Sequence, residues 1–133
     1  MREIKFRGRN TDGHWVYGDL NRDKTGTLAC IAFFTDECLV PCPVEPATVG
    51  QFTGVLDADG REIYEGDVLN NLYGHLGVSY KQEWAAFVAC GVDSTGYYHE
   101  YLLDKIVNTL VRRAEIKVCG NIHDNPELLE RKP

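Results

Sequence analysis

The chain has 133 residues, 44% of them apolar and 26% charged, a balance near the globular average that excludes a disordered or fibrous class. Fourteen Lys and Arg stand against twenty Asp and Glu, and the net charge of −6 argues against a general coat for DNA or RNA. No apolar run approaches the roughly 20 residues of a membrane span, and Met1-Arg2-Glu3-Ile4-Lys5-Phe6-Arg7 has no apolar signal-peptide core behind its charges, so a cytoplasmic protein is expected.

In chain order, Glu3 to Gly8 alternates, with Ile4 and Phe6 on one face and Lys5, Arg7 and Arg9 on the other. Asn10-Thr11-Asp12-Gly13 is a turn signal, and His14-Trp15-Val16-Tyr17 returns as a second strand of a hairpin. A polar turn over 21–26 precedes a mostly apolar strand from Thr27 to Phe34, and Pro41, Pro43 and Pro46 punctuate an extended connection. A second hairpin signal, Asp57-Ala58-Asp59-Gly60, lies between 50–56 and 61–64. Val68-Leu69 and Val78 to Ala89 read as further strands, joined around Tyr73 to Gly77. The stretch 59–68 echoes 12–20, a repetition explained by the same turn chemistry being needed twice. Many short strands with turns between them point to a small barrel or sandwich.

The character changes after Tyr98. From His99 to Arg113, Leu102, Leu103, Ile106, Val107, Leu110 and Val111 fall at helical spacing, which predicts a helix. Glu115 to Cys119 predicts a strand ended by Gly120, and Asp124 or Asn125 caps a short closing helix with Pro126 at its first position. The chain reads as one domain over 1–133, β-rich through residue 98 and mixed helix and strand from 99 to 133.

Residue types that carry chemistry are present without the spacings that chemistry needs. The acidic cluster Asp57, Asp59, Glu62, Glu65 and Asp67 fails the calcium-loop pattern, because setting Gly60 at its sixth position puts Val55 first and Gly66 twelfth. His14, His75, His99 and His123 are scattered, and neither Ser79 nor Ser94 lies in a nucleophile elbow. The five cysteines (Cys30, Cys38, Cys42, Cys90 and Cys119) are an odd number, and Cys38 and Cys42 lack the second ligand pair of a structural zinc site. Cys90 or Cys119 paired with a distant histidine is the remaining nucleophile reading, and a buried thiol is the plainer one. No catalytic residue, metal site or cofactor is therefore assigned. Lys5, Arg7 and Arg9 are candidates to meet phosphates or a partner, with Trp15 and Tyr17 across the hairpin as stacking platforms. The plainer reading is a solvated outer face with the aromatics turned into the core.

Several segments together resemble a known family. Arg2-Glu3-Ile4-Lys5-Phe6-Arg7 with Val16-Tyr17-Gly18-Asp19-Leu20 resembles the start of the YopX-type proteins of bacteriophages and prophages. So do Thr48-Val49-Gly50-Gln51-Phe52-Thr53-Gly54, Gly60-Arg61-Glu62-Ile63-Tyr64-Glu65-Gly66-Asp67-Val68 and the closing Val118-Cys119-Gly120-Asn121-Ile122-His123-Asp124-Asn125-Pro126-Glu127-Leu128-Leu129. The matches span nearly the whole chain and thin out between Tyr80 and Arg113. The resemblance implies a mainly β fold with a small SH3-like barrel core, additional strands and a helical C-terminal portion, self-association, and a phage or prophage origin in a bacterial host. It supplies no catalytic residues. Its matching residues read as corners and docking points, with Gly66 relieving a sharp bend, Asp67 bonding backbone amides, and Leu128 and Leu129 docking on the barrel. The expectation is a non-enzymatic accessory protein that binds a host or phage protein and forms a homo-oligomer. The alternative is a nucleic-acid-binding module using the basic N-terminal hairpin.

Overall fold

A computed structural model describes residues 2–71, 74–108 and 116–129. Two compact units divide the chain, residues 1–52 and 53–133. The first holds β1 (Phe6–Arg9), β2 (Trp15–Arg22), β3 (Ala29–Phe34), β4 (Leu39–Val44), a 3-10 turn at Pro46–Thr48, and the start of β5 (Gly50–Leu56). Its strands run β4-β3-β2-β1-β5, each antiparallel to its neighbour.

That sheet curls. Gly18 is where β2 leaves β1 and turns onto β3, and a Cβ there would collide with the Ala32 carbonyl oxygen. A Cβ on Gly8 would stand 2.7 Å from Val44 Cγ2, so only glycine lets β1 approach β4 this closely. The Glu45 N–H donates to the Arg9 carbonyl at 2.9 Å, and the Arg9 N–H donates to Thr48 Oγ1 at 2.9 Å. Ala29, Ile31 and Val44 form the core, with Phe6, Val16, Leu20 and Val49 packed on it.

In the second unit β6 (Glu62–Tyr64) lies beside the end of β5. A five-stranded antiparallel sheet follows in the order β10-β9-β8-β7-β11. Its strands are β7 (Asp67–Asn71), β8 (Gly74–Lys81), β9 (Ala86–Val92), β10 (Tyr98–Leu102) and β11 (Lys117–Asn121). Helix α1 (Leu103–Asn108) buries Leu103, Ile106 and Val107 in a core shared with Ile63, Leu69, Leu76, Val78, Ala89 and Ile116. A 3-10 turn at Pro126–Leu129 sets Leu129 against Gly77 and Leu128 against Gly120, as the docking leucines predict.

The mainly β class and both predicted hairpins are present. Neither sheet closes into a barrel among the described residues; each ends in two edge strands. The helix predicted from His99 to Arg113 is corrected over its first part: Tyr98–Leu102 is a strand paired residue for residue with Val92 to Val88, and α1 begins at Leu103. Residues 109–113 of that prediction lie outside the described residues. The strand predicted across Val78 to Ala89 is two strands, because Gln82–Trp84 turns and Ala85 adopts a left-handed φ of 49°. The predicted strand end at Gly120 is instead a bulge inside β11.

Candidate functional site

Register brings the proposed basic and aromatic residues together. Arg9 faces Trp15 and Arg7 faces Tyr17 across the β1–β2 ladder, and directly opposite residues share a face. That face is not the solvated one the sequence suggests. Arg7 is buried, its guanidinium 4.6 Å from the centre of the Trp15 ring. Lys5 Nζ lies 3.3 Å from Glu3 Oε1 and 5.5 Å from the Phe52 ring centre, and Arg9 Nη2 lies 3.5 Å from Glu45 Oε2. Trp15 is half-buried, and Tyr17 remains 45% exposed. Arg7, Arg9, Trp15 and Tyr17 therefore share one face, Lys5 lies beside Glu3 and Phe52, and protein groups engage all three cations.

Two carboxylates of the acidic cluster, Asp57 and Asp67, are backbone brackets. Buried Asp57 accepts from the N–H groups of Asp59 and Arg61 on Oδ1 and of Val118 on Oδ2, each at 2.9 Å. Buried Asp67 accepts the Tyr64 N–H on Oδ2 at 2.8 Å, beside Gly66 with its φ of 89°, as the bend reading predicts. Among the described residues no group of three His, Cys, Asp or Glu side chains stands where it could hold a metal ion.

The cysteines take local partners. Cys119 Sγ donates to the Val68 carbonyl at 3.3 Å, and burial pushes its thiol up from the ordinary value. Cys90 interacts with the Tyr98 hydroxyl, which that bond, aided by burial, pushes up to about 12. One polar constellation escaped the sequence reading. His99 Nε2 pairs with Asp93 Oδ2 at 2.8 Å and His99 Nδ1 with the Tyr101 hydroxyl at 2.9 Å. Asp93 and His99 border a shallow cleft that His75, Leu76 and Gly91 also line. His99 and Tyr101 share a face only because 98–102 is a strand, and the helical reading hid that.

The sequence reading also missed the outward face of the β3–β4 hairpin. Ala29, Ile31 and Val44 point into the core, so the alternate positions point out. There Phe34 stands opposite Leu39, 78% and 51% exposed. The signal was the unbroken apolar run Leu28 to Phe34, which leaves no polar face for water.

Open antiparallel sheets, corners set by Gly and Asp, and an exposed apolar hairpin define a mainly β protein. The YopX protein family model matches residues 5–130, and the chain belongs to that family. A solved structure, that of protein EF1440 from Enterococcus faecalis, is similar in fold with a TM-score of 0.57 and 19% identity. The match covers 98% of this chain and 100% of that one. No curated protein sequence matches. Among the described residues no helix is long and apolar enough to cross a membrane.

Proposed function

We propose that this is a phage or prophage accessory protein that acts in the bacterial cytoplasm without catalysis, as a self-associating, protein-binding module. The observation that carries the reading is the Phe34–Leu39 pair, two large apolar side chains held side by side in solvent on a well-packed strand ladder. The ion pairs of Lys5 and Arg9 and the seat of Arg7 on Trp15 weigh against the nucleic-acid alternative, since phosphates would have to displace them. We further infer that the first unit is an SH3-like meander. Its order β4-β3-β2-β1-β5, the 3-10 turn ahead of β5, and the close approach of Gly8 to Val44 support that architecture. The fold alone specifies no ligand.

The test combines light scattering of the purified chain with pull-down from host lysate, with and without nuclease. A mass above the monomer together with a stoichiometric protein that survives nuclease is the expected result. A monomer that retains nothing overturns the reading, and partners that vanish with nuclease transfer it to nucleic acid.

A further inference from the structure

We propose that the outward face of the β3–β4 hairpin is a homodimer surface, on which a second copy of this chain docks antiparallel about a two-fold axis. The proposal rests on the self-association read above and names its surface and geometry. Three cross-strand pairs form the face: Cys30 with Pro43, Ala32 with Pro41, and Phe34 with Leu39. Leu28, 68% exposed, extends it by one position beyond β3. Every one of these side chains is apolar, whereas Asp19 and Asn21, the β2 partners of Ala32 and Cys30, border the stripe with polar groups. Single exposed leucines are ordinary on a protein surface; a contiguous apolar stripe with a polar border is the mark of an interface.

The prolines decide how a partner approaches. β4 is an edge strand, and edge strands recruit other chains by pairing their free N–H and C=O groups. A proline has no N–H to give to β3, so Pro41 and Pro43 occupy the positions whose backbone faces outward. The outer rim of β4 thereby loses its donors at both, and strand addition there is blocked. What remains available is the face.

Charge then selects the occupant. Arg22, which closes β2 opposite Ala29, and Lys24 in the turn that follows flank Asp23, and the turn after β3 carries Asp36 and Glu37, all exposed. The six residues of β3 separate these ends by about 20 Å. A second copy laid antiparallel sets its acidic turn over the first copy's basic turn, and the two-fold axis makes the same contact twice. A parallel copy would stack like charges on like. The chain's net charge of −6 repels a second copy in general, and this local complementarity offsets that repulsion while fixing orientation. The centre of the face, Ala32 opposite Pro41, has small side chains that let two such faces come close.

The experiment is sedimentation equilibrium on the full chain from about 1 to about 500 µM, at low and high salt. The native chain is expected to dimerise, more tightly at low salt. Phe34→Asp should be monomeric while keeping its far-UV spectrum and thermal midpoint, because that side chain is 78% exposed. Reversing the acidic turn (Asp36→Lys with Glu37→Lys) should weaken the dimer about tenfold. Adding Arg22→Glu with Lys24→Glu should restore it. A Phe34→Asp chain that dimerises like the native one overturns this surface while leaving self-association standing. A native chain that stays monomeric at every concentration overturns both, including one that captures an unrelated basic protein on Phe34. Failure of the fourfold charge reversal to restore the dimer overturns the antiparallel geometry.

Discussion

Asp57 shows how a carboxylate that looks reactive in sequence is spent on structure. It is buried, and its two oxygens hold three backbone N–H groups, one of them in β11 at Val118, 61 residues away. Asp57→Ala strands all three amides and should cost about 3 kcal/mol, at roughly 1 kcal/mol for each lost bond. Asn10→Ala removes a similar pair of bonds in an exposed turn, where water substitutes, and should cost about 1 kcal/mol or less. Urea midpoints of the two variants measure the difference, and equal losses would contradict the bracket role. Asp93 makes the same turn and also reaches His99. The Thr95 hydroxyl, then His99, then the Tyr97 N–H hold its carboxyl well below the usual carboxylate range. A folded pKa below the unfolded one means that the unfolded chain binds the proton more tightly. The stability from Asp93 is thus present above about pH 4 and is lost as the pH falls through the depressed value. Thermal midpoints from neutral pH into acid should fall less steeply for Asp93→Asn than for the native chain. Asp23, also held low by its turn, supplies part of the slope that remains. Superimposable acid limbs would remove Asp93 from the account.

At the scale of elements, the turns at Asn10 to Gly13 and Asp57 to Gly60 were legible because their chemistry is local, whereas the one at Asp93 to Gly96 went unread. Asn10 to Gly13, Asp57 to Gly60 and Asp93 to Gly96 follow one design: the first side chain accepts two later N–H groups, and the glycine N–H returns to the first carbonyl with φ between 81° and 88°. Asp23 to Gly26 is a looser version. The repetition noticed in the sequence is this turn, used more often than the two echoing segments suggest. Elements decided by distant partners were not legible. Tyr98–Leu102 supplies a leucine to an apparent helical stripe, yet Val88 to Val92 offers it an unpaired ladder, and pairing overrides the local pattern. Likewise Thr27 to Phe34 read only as a mostly apolar strand, since sequence cannot say that the side chains of Phe34 and Leu28 stand in solvent. The prolines of β4 give this scale its prediction. Pro41→Thr with Pro43→Thr restores two outward N–H donors on an edge strand while leaving the inward side chains untouched. The double variant should form assemblies larger than the native chain's, seen as rising light scattering at matched concentration. A particle size identical to the native chain's would show that the prolines do not guard that edge.

The division at Phe52–Thr53 falls inside β5, with no linker, proline or shift of composition to announce it, so a sequence read for boundaries passes over it. What differs between the units is how much apolar matter each encloses. Among the described residues the core cluster of the first is Ala29, Ile31 and Val44; that of the second has nine buried apolar residues, three of them from α1. Within the second, β8 is the middle strand of five, and its neighbours β7 and β9 are each paired on both sides. Opening free energy follows buried apolar contact and enclosure of backbone hydrogen bonds. The amides of Leu69, Val78 and Ala89, whose side chains are at most 4% exposed, should therefore exchange slowest in the protein. Those of Ala29 to Phe34 should exchange earlier, through an opening that a low urea concentration already promotes. Ile31→Ala sharpens the contrast, because emptying the fully buried centre of a three-residue core costs about 3 kcal/mol. Protection across β2 and β3 should collapse in that variant, while the β7–β8–β9 amides keep most of theirs. Hydrogen exchange read by mass spectrometry along a shallow urea series makes the comparison. A single opening energy shared by both cores, falling equally in both on Ile31→Ala, would mean that 1–133 opens as one cooperative domain.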